Sequence, residues 1–200
     1  MKSIKLIALA AALVVCCTAS AQTYRSASIS YAKFNMSPSG ISFNLPGAAF
    51  GVAVADKLPK NAPLLYEIGV NAMYTSGSVT LGDCYLRCNL TSVMVPLNLM
   101  LELDVDKLKV LPFAGLNVMG HIAANGKYRE DEGDDYVETF DCFKDEDFSA
   151  KRFQLGAQVG IKAIYDKLIF GVSYTPYLTA FWEEEGTSST LLLASVGILF

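Results

Sequence analysis

The sequence has few charged residues, one histidine, one tryptophan and no long apolar run. Charged side chains make up 18% of its 200 residues, against roughly 25% in an ordinary soluble domain. The net charge of −4 gives no electrostatic reason to bind nucleic acid. No apolar run approaches the ~18–20 residues that a membrane-spanning helix needs. Since 52% of the residues are nevertheless hydrophobic, they must be distributed in another pattern.

The first 21 residues have the pattern of a signal peptide. Two lysines precede an apolar stretch, Leu6–Cys17, and the small residues Ala19-Ser20-Ala21 follow it. We expect cleavage before Gln22, so that residues 1–21 are a signal peptide and residues 22–200 are one exported domain. The two cysteines that end the apolar stretch are an alternative lipid-attachment site, but the small residue that should directly precede such a cysteine is missing.

Export places the remaining cysteines in an oxidising compartment. Cys84, Cys88 and Cys142 allow one disulfide with one thiol left over, either Cys84–Cys88 or one of these two with Cys142. A metal site is less favoured, because the spacing is C-x3-C and His121 is distant in sequence.

Eight segments alternate apolar and polar residues, which predicts β-strands with one apolar face. The apolar positions are Ala27, Ile29, Tyr31; Phe50, Val52, Val54; Tyr66, Ile68, Val70, Ala72, Tyr74; Val93, Val95, Leu97, Leu99, Leu101, Leu103; Pro112, Ala114, Leu116, Val118; Phe153, Leu155, Ala157, Val159, Ile161, Ala163, Tyr165; Leu168, Phe170, Val172, Tyr174; Leu192, Ala194, Val196, Ile198 and Phe200. Short connections (56–63, 104–107, 166–167) alternate with mostly longer polar ones (35–44, 75–89, 120–150, 183–187). This pattern predicts an all-β fold, an eight-stranded antiparallel up-and-down transmembrane β-barrel.

The alternative is a soluble, lipocalin-like barrel whose apolar face lines a ligand pocket. The polar positions favour the membrane barrel, because they are mostly Gly, Ser, Thr, Asn and Gln, which suit a narrow lumen. Their few charges, Glu67, Glu102, Arg152 and Lys162, are expected to pair across the lumen. Aromatic residues near the strand ends predict two interfacial girdles: Tyr24, Tyr66, Tyr165 and Phe200 at one end, and Tyr31, Tyr74, Phe181 and Trp182 at the other.

Several motifs resemble the outer-membrane β-barrel domain family common in Bacteroidota. They are Ser92–Leu99 with its VPLNL core, Leu111–Leu116 (LPFAGL), the glycine-containing strand Phe153–Ile164 and the terminal Val196–Phe200. The chain departs from the family pattern at Leu116-Asn117, where a second glycine is common. The resemblance implies a small outer-membrane barrel, with Phe200 as the terminal aromatic signal for the barrel-assembly machinery.

Candidate chemistry is limited. His121 falls near the predicted outer rim, followed by Ile122 and Ala123, with no serine at the spacing of a Ser–His pair on one strand. Ser149 lies across the loop without a residue that fixes it. We therefore interpret His121 as a rim histidine near lipid headgroups. We predict no enzyme activity, no cofactor, no metal site and no catalytic residues, with a lipid-A-modifying barrel enzyme as the third hypothesis.

The loop 120–150 is unusually acidic, and three phenylalanines, Phe140, Phe143 and Phe148, interleave with its acids. The acids are Glu130, Asp131, Glu132, Asp134, Asp135, Glu138, Asp141, Asp145, Glu146 and Asp147. Clustered carboxylates favour a hard divalent cation, although a solvated loop with no ligand explains them as well. A partner-binding hairpin above the membrane is a third interpretation.

The sequence thus predicts a non-enzymatic structural or surface-interaction protein. An eight-stranded barrel has room only for its own side chains, which argues against a general porin channel. The expected location is a Gram-negative outer membrane, and the expected partners are outer-membrane lipids, lipopolysaccharide and the barrel-assembly machinery.

Overall fold

The computed structural model describes residues 24–37, 42–58, 63–81, 84–129, 138–144, 150–181 and 187–200. Its strands are β1 (Tyr24–Ser37), β2 (Phe43–Lys57), β3 (Leu64–Leu81), β4 (Cys84–Leu101), β5 (Leu103–Val105), β6 (Leu108–Arg129), β7 (Glu138–Asp141), β8 (Phe153–Tyr165), β9 (Leu168–Pro176) and β10 (Ser188–Leu199). Within these ranges there is no helix of the length and apolarity needed to cross a membrane. The predicted signal peptide, its cleavage site and Trp182 lie outside the described residues.

The strands close into an eight-stranded antiparallel barrel, as predicted. Each long strand pairs with its neighbours in the chain, β1 also pairs with β10, and the β4–β6 pairing completes the circuit. The short β5 continues the path of β4 along β6, and β7 pairs only with the far end of β6. We call the end where β1 begins and β10 ends the terminus end, and the opposite end the loop end.

Two turns at the terminus end have the same sequence and conformation. Asp106-Lys107 joins β5 to β6 and Asp166-Lys167 joins β8 to β9, each closing a pair of directly opposed residues. Both aspartates have positive φ, 55° and 54°, a region that aspartate tolerates better than most residues. The short turns predicted at these positions are confirmed.

At the loop end the hairpins are longer than predicted. β3 and β4 stay paired up to Leu81 and Cys84, and β6 continues to Arg129. The predicted boundaries of the loops 75–89 and 120–150 were therefore wrong where each loop joins the barrel, because the strands continue into both ranges. In these extensions the apolar side chains lie on the inner face instead of the outer one: Leu90 and Ala124 are completely buried, whereas Asn125 is exposed on the outside.

The inside–outside assignment of the barrel wall is confirmed except at Val54, which was predicted to face outward and is buried. Large apolar side chains of the predicted outward positions are exposed over much of their surface: Ile29, Tyr31, Phe50, Tyr74, Leu97, Leu99, Leu116, Val159, Ile161, Phe170, Val172, Val196 and Ile198. The intervening polar residues face the lumen, as Glu67, Asn98 and Gln158 do. The soluble alternative needed a polar exterior, and the exterior of the barrel wall is apolar instead.

The predicted girdles are partly correct. Tyr31, Tyr74, Tyr165 and Phe200 are exposed, with Phe200 at 73%. Phe181 is wrong, because it is completely buried inside the loop end. It follows the end of β9 by several residues, so strand alternation does not determine which way its side chain points.

Candidate functional site

A β-bulge places His121 inside the loop end of the lumen. The β4–β6 register shifts at this point, since Thr91 pairs with Ala123 while the next residue, Ser92, pairs with His121. Ile122 is the extra residue and is 40% exposed on the outer wall. The bulge allows both His121 and Ala124 to face inward, whereas a regular strand would turn one of them outward.

His121 is the centre of a buried hydrogen-bond network. Its Nδ1 lies 2.8 Å from Ser92 Oγ, and its Nε2 lies 3.0 Å from Gln154 Oε1. Gln154 Nε2 donates to the carbonyl oxygen of Thr179 at 3.1 Å and to Ser189 Oγ at 2.7 Å. The network therefore connects β4, β6, β8, β10 and the segment after β9.

The network selects one tautomer of the neutral imidazole. A carbonyl oxygen only accepts, so Gln154 must direct its NH2 group at Thr179 and its oxygen at His121. His121 then donates from Nε2 to Gln154 and accepts at Nδ1 from the Ser92 hydroxyl. Every hydrogen bond is satisfied with a neutral ring, as a buried polar group requires.

Aromatic rings enclose this network. The Phe181 ring packs edge-on against His121 with centroids 4.9 Å apart, and the Phe143 ring is stacked at 6.4 Å. The Arg152 guanidinium covers the outer side of Phe143 at 4.4 Å. Ser92 is completely buried and His121 is 4% exposed, so a substrate has no access to the serine.

The expectation that His121 is a rim histidine was wrong, because it is a lumenal residue. The sequence analysis looked for a serine on the same strand and found none, whereas the partner is Ser92 on the adjacent strand. The sequence contains both residues, but it does not show that they are neighbours. Only the register of β4 against β6 brings residues 92 and 121 together. Ser149 lies outside the described residues.

Around the network, large side chains fill the loop end of the lumen, and we call them the loop-end plug. Its buried members are Ala32, Phe34, Met36, Phe43, Leu45, Ala49, Met73, Cys88, Leu90, Met94, Met119, Ala124, Cys142, Tyr177, Phe181, Leu191 and Leu193. Many of these, including Phe34 and Phe181, have no solvent-accessible surface at all. A plug of this kind closes the lumen to solutes.

The middle of the lumen is polar and contains a cavity of about 70 Å³. Lys162 forms an ion pair with Glu67, and Asn98 Nδ2 donates to the same carboxylate at 2.9 Å. The cavity lining reaches Leu193 of the loop-end plug on one side and Phe113 on the other. Its volume is sufficient for a few water molecules and too small for a metabolite.

Charged residues cross-link the terminus end. The Glu102 carboxylate accepts hydrogen bonds from Lys57 and Lys109, both at 3.2 Å, and from the Tyr24 hydroxyl at 3.1 Å. A small apolar group, the terminus-end cluster, lies beside them and consists of Ala55, Leu65, Met100, Leu111, Phe113, Ile164 and Ile169.

The expected pairing of lumenal charges is therefore correct in part. Glu67 and Lys162 pair with each other as predicted, and Glu102 pairs with two lysines that were not considered. Arg152 is wrong, since it is exposed at the loop end and stacks on Phe143. It precedes the first residue of β8, so the alternation of that strand does not extend to it.

Most of the acidic loop lies outside the described residues, and so does Phe148. Within the described part, the Lys144 ammonium at 3.0 Å and the backbone N–H of Phe143 lower the pKa of Asp141 below its usual value. Among the described residues, no three His, Cys, Asp or Glu side chains converge as a metal site would require. The predicted cation therefore stays a prediction.

No family model matches the chain, and no curated protein matches its sequence. The resemblance to the Bacteroidota family thus stays a prediction.

Solved structures do match. The chain is similar to the attachment invasion locus protein Ail of Yersinia pestis, solved with the heparin analogue sucrose octasulfate, at 10% identity and a TM-score of 0.52 over 90% of this chain and 99% of Ail. It is similar to a major outer membrane protein from Thermus thermophilus, at 15% identity and a TM-score of 0.52 over 89% and 98% of the two chains. The outer membrane enzyme PagL matches with 12% identity and a TM-score of 0.45, over 86% of this chain and 98% of PagL. The first two likenesses show that the chain has the fold of small outer-membrane β-barrels.

Proposed function

We propose that this protein is a non-enzymatic barrel of the Gram-negative outer membrane that displays its loop end as a surface for structural or adhesive contacts. The single observation that carries the proposal is the combination of an apolar outer wall with a plugged lumen. The wall fits lipid, and the plug leaves the loop end as the part available to other molecules.

The outer wall supports the location. Ile29, Leu99, Val159 and Phe170 each expose between 47% and 62% of their surface, an arrangement that is costly in water and favourable against hydrocarbon. The barrel also pairs all of its long strands, so no unpaired strand edge would face lipid. Outer-membrane lipids, including lipopolysaccharide around the loop end, are thus the proposed immediate surroundings.

The sealed His121 network supports a non-enzymatic role. A Ser–His pair performs acyl transfer only when a substrate carbonyl can reach the serine oxygen. Ser92 has no accessible surface beneath Phe143 and Phe181. We therefore interpret the Ser92–His121 pair as a structural hydrogen bond that connects β4 and β6. Replacing Ser92 or His121 by Ala is expected to leave the lipid A profile of the host unchanged, as judged by mass spectrometry, and a changed profile would favour the enzyme hypothesis.

The location is tested by fractionating the native host and comparing gel mobility before and after boiling. We expect recovery in the outer membrane and a heat-dependent shift, because a closed barrel resists detergent until it is heated. Protease treatment of intact cells then tests the display: cleavage is expected within loop 130–137 and not at the Asp106-Lys107 turn. Recovery in the soluble periplasm, without a shift, would reject the proposal.

Phe200 is proposed as the contact for the barrel-assembly machinery. Its ring is 73% exposed, and its backbone N–H donates to the carbonyl of Arg25 at 3.0 Å. We expect Phe200→Ala to reduce the amount of assembled barrel in cells while the purified variant still refolds in detergent. Phe200→Tyr is the matched control, and equal assembly of all three proteins would contradict this role.

A further inference from the structure

Two thiols meet inside the loop-end plug. Cys88 lies on β4 and is 6% exposed, and Cys142 directly follows β7 and is 2% exposed. Their side chains are neighbours within this buried cluster, and no S–S bond joins them in this structure. The sequence left the partner of each cysteine open, and the fold places these two in the same part of the lumen.

The register of β6 explains why they meet. Cys88 pairs with Gly126 on one edge of β6, and Phe140 of β7 pairs with Gly126 on the other edge. The inward positions of β6 that separate the two cysteines are Ala124 and Gly126. Both residues are small, so neither places a large side chain of β6 between the two cysteines. A Cβ at Gly126 would overlap the Phe140 ring.

The backbone holds Cys142 in this position. Its N–H donates to the carbonyl of Ala124 at 3.0 Å, and its carbonyl accepts from the N–H of Ala150 at 3.3 Å. Cys88 is held by strand pairing on both sides, to Gly77 and Gly126. Backbone hydrogen bonds on both edges of β6 therefore hold the two cysteines in the loop-end plug.

We propose that Cys88 and Cys142 form a disulfide bond in the exported protein and tie the β7 hairpin to the barrel wall. The inference rests on the proposed location, because the oxidant is available only outside the cytoplasm. Each thiol gives up its proton, an S–S bond forms, and the two electrons reduce the disulfide of an external thiol oxidant to two thiols. Cys84 keeps its own thiol.

The cross-link would add a covalent anchor to the hydrogen bonds that hold β7. β7 pairs with β6 through only four residue pairs, from Asn125–Asp141 to Tyr128–Glu138. A four-residue edge strand is by itself a weak attachment. A covalent bond between Cys142 and Cys88 would tie the end of β7 to β4 inside the loop-end plug.

Trypsin can identify the pairing without ambiguity. Cleavage at Lys60, Arg87, Lys107, Arg129 and Lys144 places Cys84 in peptide 61–87, Cys88 in peptide 88–107 and Cys142 in peptide 130–144. Membranes from cells that export the full chain are quenched with acid and N-ethylmaleimide, then digested without reductant. We expect a linked 88–107/130–144 species that disappears on reduction, with peptide 61–87 carrying the maleimide.

Matched variants complete the test. Cys84→Ser is expected to keep the linked species, whereas Cys88→Ser and Cys142→Ser lose it and show maleimide on the remaining partner. The heat-dependent gel shift of each variant confirms that the barrel has folded. Protease should cut loop 130–152 faster in Cys142→Ser than in Cys84→Ser. Recovery of both peptides only as maleimide adducts, or linked to 61–87, would overturn the proposal.

The outcomes separate this inference from the proposed function. A linked peptide in a protein that fractionates outside the outer membrane would support the disulfide and reject the location. A heat-modifiable outer-membrane barrel with every thiol alkylated would support the location and reject the disulfide.

Discussion

At the loop end the lumen is filled by aromatic and aliphatic side chains around a neutral Ser92–His121–Gln154 network, whereas the terminus end has a smaller apolar cluster beside a charged group centred on Glu102. The side chains of Lys57 and Lys109 are 26% and 37% exposed, so water shares in solvating their charges. The loop end is sealed, and a charge there would lose its hydration without replacement. The comparison shows that charged groups occur in the lumen where water reaches them, at the terminus end, and that neutral hydrogen-bonding groups replace them where water is excluded, at the loop end.

The largest difference is expected from truncating the loop-end plug. Phe34 is completely buried, and Phe34→Ala should cost about 3–5 kcal/mol because it removes apolar contacts and leaves a cavity. Ile29→Ala, on the lipid side of the same strand, should cost less, since lipid chains fill the vacated space. Urea unfolding in lipid vesicles measures both, and equal losses would contradict the tightly packed plug.

The outer wall, which both ends share, is tested with a lysine. Val159→Lys should destabilise the barrel by about 2–4 kcal/mol if the site lies at the membrane midplane, because Val159 is 52% exposed on the outside. Gln158→Lys is the control, since Gln158 lines the polar cavity and a smaller loss is expected there. Equal tolerance of lysine at the two positions would refute the inside–outside assignment.

Removing His121 breaks the neutral network. His121→Ala leaves the Ser92 hydroxyl and the Gln154 oxygen without their partner, and should cost about 1–3 kcal/mol. Because the three side chains act together, Ser92→Ala combined with His121→Ala should cost less than the sum of the single losses. The double-mutant cycle, followed by unfolding in detergent, checks this coupling, and strict additivity would mean that the hydrogen bond contributes nothing.

The smallest effect is expected at the charged terminus end. Glu102→Gln should cost about 0.2–1 kcal/mol, since both lysine partners are partly exposed. The loss should shrink as salt rises, because ions screen exposed pairs, while the loss for His121→Ala should not change with salt. Unfolding at low and high ionic strength compares the two ends directly. The same salt dependence for both variants would contradict their different access to water.

Much of the fold was predictable from alternation alone. Val159 and Ile161 were correctly placed outside and Gln158 inside, because a strand fixes the side of each residue by parity. The prediction failed where parity stops or shifts: at Phe181 after β9, at Arg152 before β8 and in the loop-end parts of β3, β4 and β6. In each place the side chain's direction depends on contacts with distant residues.

The candidate site was less accessible to prediction. The bulge at Ile122 changes which residues of β6 face inward, and the residue type at that position does not predict a bulge. Ser92 and His121 are 29 residues apart, and Cys88 and Cys142 are separated by 54. Both pairs depend on the register across β6, which a one-residue shift would abolish.

By itself the sequence determined the eight strands, the apolar outer wall, the polar middle of the lumen and the Asp-Lys turns, because these depend on local alternation and on the left-handed backbone that aspartate tolerates. Only the tertiary structure decided which side chains fill the lumen and which polar groups become partners. Barrel closure brings residues from distant strands within a few ångströms of one axis, and the partners there are selected by strand register and by the shape of the remaining space.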